Sequence, residues 1–482
     1  MRSTPRSVVG RPAAPSLSRA RTPAWVHDPM TSTGPTLLLC ALLLLMILPT
    51  NLDFRFTQTA SDENQSIVNK VVWITTLFGS CWYIASRQRL WWALLRAVNP
   101  FHLLFIALAA LSITWSIDPA ETARNLFRLL VILLCCTAFT LNGWRADRFQ
   151  SVMRSLVGAL LVGSIIFALV LPKYGIERFP DYTSALRDTY RPYGAGIAPI
   201  IQPVLRGLTY SKNQLGPLAG FGVIFWLHAW LDKEAKLFWV LLCGGSALIC
   251  LYWAHSSTAV LATAFAVVVT LMLRHWPKWL RRYMPHIIAI FSLIIFVYSL
   301  VILKLIPQLE FLLSPITALT GKDLTFTNRT AIWQIVGAHI AQHPLLGTGY
   351  SAYWIDEPGS PSYVMNTLLA FYPGESHNGY LDVLNDLGIV GGVCLFGYLV
   401  VCLRQSLKIM AFDRNQGSLY LVLFFYTFWS SMSESHWFSA ESAFFTMFTL
   451  AVCTSARTLL QHQFEINSVR APARAESTSS RA

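Results

Sequence analysis

Runs of roughly 20 apolar residues recur along nearly the whole chain, and a run of that length crosses hydrocarbon as one helix. About twelve can be drawn, at 36–50, 67–85, 100–115, 126–142, 155–171, 213–231, 237–252, 256–273, 287–306, 379–403, 417–432 and 441–457. Composition agrees. Hydrophobic residues make up 54%, charged residues only 13%, and mean hydropathy is +0.48. Soluble domains carry about 25% charged residues, so this chain lacks the charge to cover a water-facing globule. Aromatics at 13% exclude a disordered chain. The expected fold is an all-α polytopic integral membrane protein.

Lys and Arg set the orientation. With the N-terminus in the cytoplasm, the segments 1–35, 86–99, 143–154, 232–236, 274–286, 404–416 and the tail after 456 hold 24 of the 37 basic residues. The acids favour the opposite side, and an even number of spans leaves both ends inside. The net charge of +13 is scattered over short loops, which fits anchoring on anionic lipid rather than a nucleic-acid surface. All nine cysteines fall in expected spans, so no structural disulfide is expected. Residues 1–35 read as a disordered basic terminus, 36–460 as the membrane domain and 461–482 as a disordered tail. The turn Ala254-His255-Ser256-Ser257 reads either as a tight outer turn or as a polar spot in one long helix.

Two outer loops are longer than the rest, at 172–212 and 307–378, and long loops in compact proteins are commonly functional. In the second, Trp333, Val336 and Ile340 recur at helical spacing with Arg329 one turn earlier. This predicts an amphipathic helix lying at the membrane–water boundary. The turn Pro344–Tyr350 has glycines at 347 and 349 and reads as a plain turn or a phosphate cradle. His377 stands before a helix that carries Asn378, Asp382 and Asn385 or Asp386 on one face. Acids entering a membrane usually face a wet cavity, and Gly388 with Gly392 permits close approach of a neighbouring helix. Arg206 and Lys212 put two cations at another helix N-terminus, which favours an anion. Glu434 and His436 in the last outer loop join the candidates.

His377 to Gly391 fits the pattern H-[NSQ]-x9-G-x-x-[GTY], with His377, Asn378, Gly388 and Gly391 matching. Asn328-Arg329-Thr330, Trp333, Pro344–Gly349 and Lys212-Asn213-x-x-Gly216 surround it. Over about residues 200–400 the chain resembles the O-antigen ligase and Wzy-type polymerase superfamily. It is most similar there to exopolysaccharide polymerases of the ExoQ type. Trp333 stands where family ligases often carry Leu, and Ala254–Ser257 lacks an arginine common among them, which favours the polymerase side.

That resemblance implies a metal-independent, cofactor-free glycosyltransferase. It would move an oligosaccharide from undecaprenyl diphosphate to a sugar hydroxyl of an acceptor glycan, at the periplasmic face of a bacterial inner membrane. A chain-length regulator and a flippase would be its partners. Arg206 and Arg329, supported by Lys212, would hold the diphosphate, whose developing charge positioned cations stabilise. His377 would be the general base or orient the acceptor. Asp382 would fix its tautomer and Glu434 would bind sugar hydroxyls, with Asn213 and Asn378 lining the site. A ligase acting on lipid A core or protein is the nearest alternative. A transporter of the same lipid is the second, weakened by the lack of an internal repeat.

Overall fold

The computed structural model describes residues 33–49, 67–142, 146–180, 201–275, 329–369 and 372–479, with scattered positions between 282 and 293. The basic terminus up to residue 32, most of the expected span at 287–306, and loop residues 181–200 and 307–328 lie outside the described residues.

The described chain is a bundle of apolar helices. Seven are long and apolar enough to cross a membrane, or eight if a bent pair counts as one span. In chain order the bundle begins with α1 (Gly34–Ile47), α2 (Ile67–Ala85), α3 (Gln88–Ala97) and α4 (Pro100–Ser112). Helices α3 and α4 are the bent pair, at 95°. Asn99 makes that corner. Its side chain accepts from the Phe101 N–H at 3.0 Å, and Pro100 needs no partner at the first helical position. Then come α5 (Pro119–Leu141), capped by Asp118 through Glu121 N–H at 2.9 Å, and α6 (Ala146–Val170).

The first long loop is not wholly irregular. A short turn α7 (Pro172–Gly175) leads into β1 (Ile176–Pro180), which pairs antiparallel with β2 (Ile201–Leu205). This small sheet qualifies the all-helical expectation. Its effect is to return the chain to the bundle at Arg206, just ahead of α8 (Lys212–Leu231). The next two helices, α9 (Leu237–Trp253, with a π-turn at 240–244) and α10 (Ser257–His275), are separated by a turn at His255, whose φ is +50°. Ala254–Ser257 is therefore a turn and not a polar spot in one helix.

The second long loop holds α11 (Arg329–Gln342) and a short α12 (Val364–Leu369). Ile332, Trp333 and Val336 of α11 are buried against Tyr353, Met365 and Leu381. The apolar face read as membrane-seeking is thus covered by the protein itself. After it come α13 (Gly379–Phe412), α14 (Arg414–Ser430) and α15 (Ala443–Ser479). Helix α15 is central, with 94% of its apolar window buried inside the bundle, and it continues to Ser479 through the stretch read as a tail.

Helix α13 is broken at Gly388, where φ is +61° and ψ −158°. The turn at 344–349 docks into the break. Pro344 and Leu345 carbonyls accept from Ile389 and Val390 N–H groups, at 2.9 and 3.3 Å. Thr348 and Gly349 N–H groups donate to Asn385 and Asp386 carbonyls, at 3.2 and 2.9 Å. A Cβ on Gly388 would lie 2.3 Å from the Leu345 carbonyl. Two sequence expectations are corrected here. Gly388 accommodates a loop rather than a neighbouring helix. The 344–349 turn is no phosphate cradle, because the N–H groups of Gly347, Thr348 and Gly349 are all bonded to backbone carbonyls.

Candidate active site

Two helix N-termini, those of α11 and α13, meet the loop 431–442 at one end of the bundle, and Lys212 at the start of α8 interacts electrostatically with Glu434 of that loop. Gly379 N–H, at the start of α13, donates to Ser431 and Glu434 carbonyls at 2.9 and 3.2 Å. Arg329 opens α11. Its guanidinium donates to the Ser433 carbonyl and, at 2.9 Å, to Glu434 Oε1. The other oxygen of Glu434 lies 3.4 Å from His377 Nδ1, and Glu375 Oε1 lies 2.7 Å from that same nitrogen. Glu375, His377, Glu434 and Arg329 thus form one chain of alternating charge. Their side chains are 39%, 20%, 9% and 16% exposed, so Glu375 stands at the mouth and Glu434 deepest.

His377 is held rigidly. It has a left-handed φ of +53°, a conformation non-glycine residues adopt only when the surroundings impose it. On one side Ser376 is pinned by three bonds: Trp333 Nε1 to its carbonyl at 2.9 Å, its N–H to Asp382 Oδ1 at 3.3 Å, and its hydroxyl to the Asn378 carbonyl at 2.8 Å. On the other, the Asn378 side chain accepts from Tyr380 and Leu381 N–H groups and caps α13.

Burial alone would lower the His377 pKa, but Glu375 and Glu434 raise it to about 10. The imidazole is therefore an imidazolium at neutral pH. Packing around Glu375 would raise its carboxyl, and the imidazolium overrides this and leaves it lowered. His436 is different. It is buried, its Nε2 lies 2.9 Å from the Ser430 hydroxyl, and burial lowers its pKa, so it is neutral.

The cations from the first loop lie alongside. Glu177 on β1 interacts electrostatically with Arg206 and Lys212. Lys212, the first residue of α8, interacts with Glu177, Arg329 and Glu434. Arg206 is 5% exposed and donates to the Tyr174 carbonyl at 2.6 Å. Burial brings its pKa down to about 10, which leaves it charged. Arg206, Lys212, Arg329 and His377 thus belong to one connected network. Asn213 sits half-buried in the first turn of α8, beside Lys212. Ser211 supplies no side-chain cap to that turn.

Two expected roles change. Asp382 does not orient His377. Its oxygens accept from Trp354 Nε1 at 3.1 Å, Ser376 N–H and the Ser435 hydroxyl, which ties α13 to both loops. Asn378 caps its own helix. Glu375 and Glu177 escaped the sequence reading. Glu375 stands two residues before the motif histidine, and that proximity was the available signal. For Glu177, on a strand far from the motif, there was none. Glu375, His377 and Glu434 bring three donor atoms within 4.8 Å of one another. Nδ1 serves both carboxylates, however, and Glu434 also carries Arg329, so the donor set is that of an ion-pair network.

A cationic floor beside an imidazolium and carboxylates suits an anionic leaving group and a hydroxyl nucleophile. Residues 239–396 match the O-antigen ligase family. The matched segment contains Arg329, His377, Gly388 and Gly391. The chain is also 26% identical over 329 residues to the exopolysaccharide production protein ExoQ of Rhizobium meliloti (strain 1021), covering 66% of this chain and 67% of that protein. The resemblance seen in the motif therefore extends well beyond it.

Proposed function

We propose that this protein is a polysaccharide polymerase of exopolysaccharide or O-antigen biosynthesis. It transfers an oligosaccharide from undecaprenyl diphosphate to a sugar hydroxyl on an acceptor glycan. The observation that carries the reading is the meeting of Arg206, Lys212 and Arg329 with His377 at one end of a membrane bundle. The three cations bind the diphosphate and stabilise the charge it gains on leaving. The His377 imidazolium adds a fourth positive group and a directed N–H for the acceptor or the leaving oxygen. Glu434 sets both cations in place. No resident metal is needed for this chemistry.

The distribution of Lys and Arg supports cytoplasmic termini, and with them a site at the periplasmic face of the inner membrane. Trp333 and the absence of arginine at Ala254–Ser257 favour polymerisation over the ligase alternative, and the similarity to an exopolysaccharide production protein accords with it. The two differ in acceptor alone. Deletion of the gene separates them: a polymerase mutant exports single repeat units, whereas a ligase mutant accumulates full-length chains on the carrier lipid. Purified protein should consume lipid-linked repeat units in detergent, where no membrane exists to cross, and R329A and H377A should each lower the rate at least about 100-fold. Wild-type output from H377A would end the proposal.

A further inference from the structure

We propose that Glu375 is the proton acceptor of the site: its Oε1 holds His377 Nδ1, and its other oxygen takes the proton of the attacking sugar hydroxyl. The inference rests on the transferase reading above and deepens it.

Both oxygens at His377 Nδ1 belong to carboxylates, at 2.7 and 3.4 Å. A carboxylate only accepts, so Nδ1 carries a proton. Two carboxylates on one ring stabilise its doubly protonated form, and such a ring has no lone pair to receive another proton. The pKa of about 10 agrees. In that doubly protonated form His377 donates through Nε2.

The other candidates are engaged. Glu434 is 9% exposed, with one oxygen on Arg329 and one toward His377. Asp382 bonds Trp354, Ser376 and Ser435. Asp386 is buried and accepts from Ser351 N–H at 2.8 Å. His436 is buried against Ser430 and Phe444. Among these groups Glu375 alone combines ionisation with access. Its side chain is 39% exposed, and among the described residues its second oxygen has no hydrogen-bond partner. Its backbone is fixed by the next residue, Ser376, which Trp333 and Asp382 bind from two helices.

The acceptor oxygen forms a bond to the anomeric carbon. The bond from that carbon to the diphosphate oxygen breaks, and its electron pair leaves with the diphosphate. The hydroxyl proton passes to Glu375 and then to water. As the new bond forms, the hydroxyl becomes acidic enough for a carboxylate to accept its proton.

The test uses full-length protein in detergent. Its substrates are undecaprenyl-diphosphate-linked repeat units extracted from cells lacking the gene. Glu375→Gln keeps an oxygen for the His377 N–H but cannot take a proton. Its kcat should fall at least 100-fold, with donor KM and inorganic pyrophosphate binding within threefold of wild type. Its residual rate should lose the acidic limb of the pH profile. Glu375→Asp should recover part of the rate and that limb. If E375Q loses pyrophosphate binding, E375D decides by the same readouts. Turnover of E375Q within threefold of wild type, or a loss carried by donor KM, overturns the assignment. A wild-type protein inert toward the donor overturns the transferase reading and this inference together.

Discussion

Each cation at the site faces at least one carboxylate, and this makes single residues testable. The His377 pKa of about 10 lies above the ordinary 6.5, so its charge favours the folded state. That contribution is fully present below pH 6.5 and disappears as pH rises through 10. Thermal melts of wild type and H377Q should therefore differ most near pH 6.5, narrow as pH rises, and converge above pH 10. Glu434→Gln removes one of the two carboxylates and should move the imidazole downward, read by nitrogen chemical shifts of labelled histidine. Arg329 uses both arms of its fork, on the Ser433 carbonyl and Glu434. Lysine cannot reproduce that geometry, and R329K should raise donor KM by about tenfold or more. At this scale the sequence was partly legible. His377 and Arg329 announced themselves through motif and spacing. Glu375 did not, because a loop acid becomes a partner only when a left-handed residue turns the histidine back toward it.

The helices place these residues through their ends and through one break. Gly388 requires a positive φ and also sits against the Leu345 carbonyl, so an alanine meets strain and collision together. We expect G388A to lower stability by about 2 kcal/mol or more, measured by thermal unfolding in detergent. Trp333 is gentler. W333F keeps the packing with Tyr353 and Leu381 and loses the bond to the Ser376 carbonyl, a cost of about 1 kcal/mol. Because Ser376 adjoins Glu375 and His377, W333F should reduce kcat more than it reduces melting temperature. Helix starts are set by the caps Asn99, Asp118 and Asn378, and the start of α5 at Pro119 lies seven residues before the 126 expected from apolar length. The break in α13 was not legible, since Val383, Leu384, Leu387, Ile389 and Val390 keep the apolar pattern running across Gly388. The covering of α11 was also hidden: its face looks alike whether lipid or Tyr353 lies opposite.

Across the described residues, apolar length marks the apolar helices because the bilayer permits few alternatives, although seven or eight rather than twelve are long and apolar enough to cross it. What length cannot predict is which ends meet. Arg206 and Lys212 precede Arg329 by more than a hundred residues, and a connected network of charges joins them. The β1–β2 pair makes this possible by delivering Arg206 to the start of α8. Inorganic pyrophosphate should therefore compete with the lipid-linked donor, and K212A should weaken that inhibition about tenfold by steady-state kinetics.

The four backbone bonds between 344–349 and the interrupted helix carry a practical corollary for chimeras between relatives. A transplant of the segment 329–378 alone would sever this seam and leave its two sides mismatched. Carrying the recipient boundary past residue 390 keeps the seam within a single donor. Whatever the segment contributes to acceptor choice should then travel with it as one heritable block.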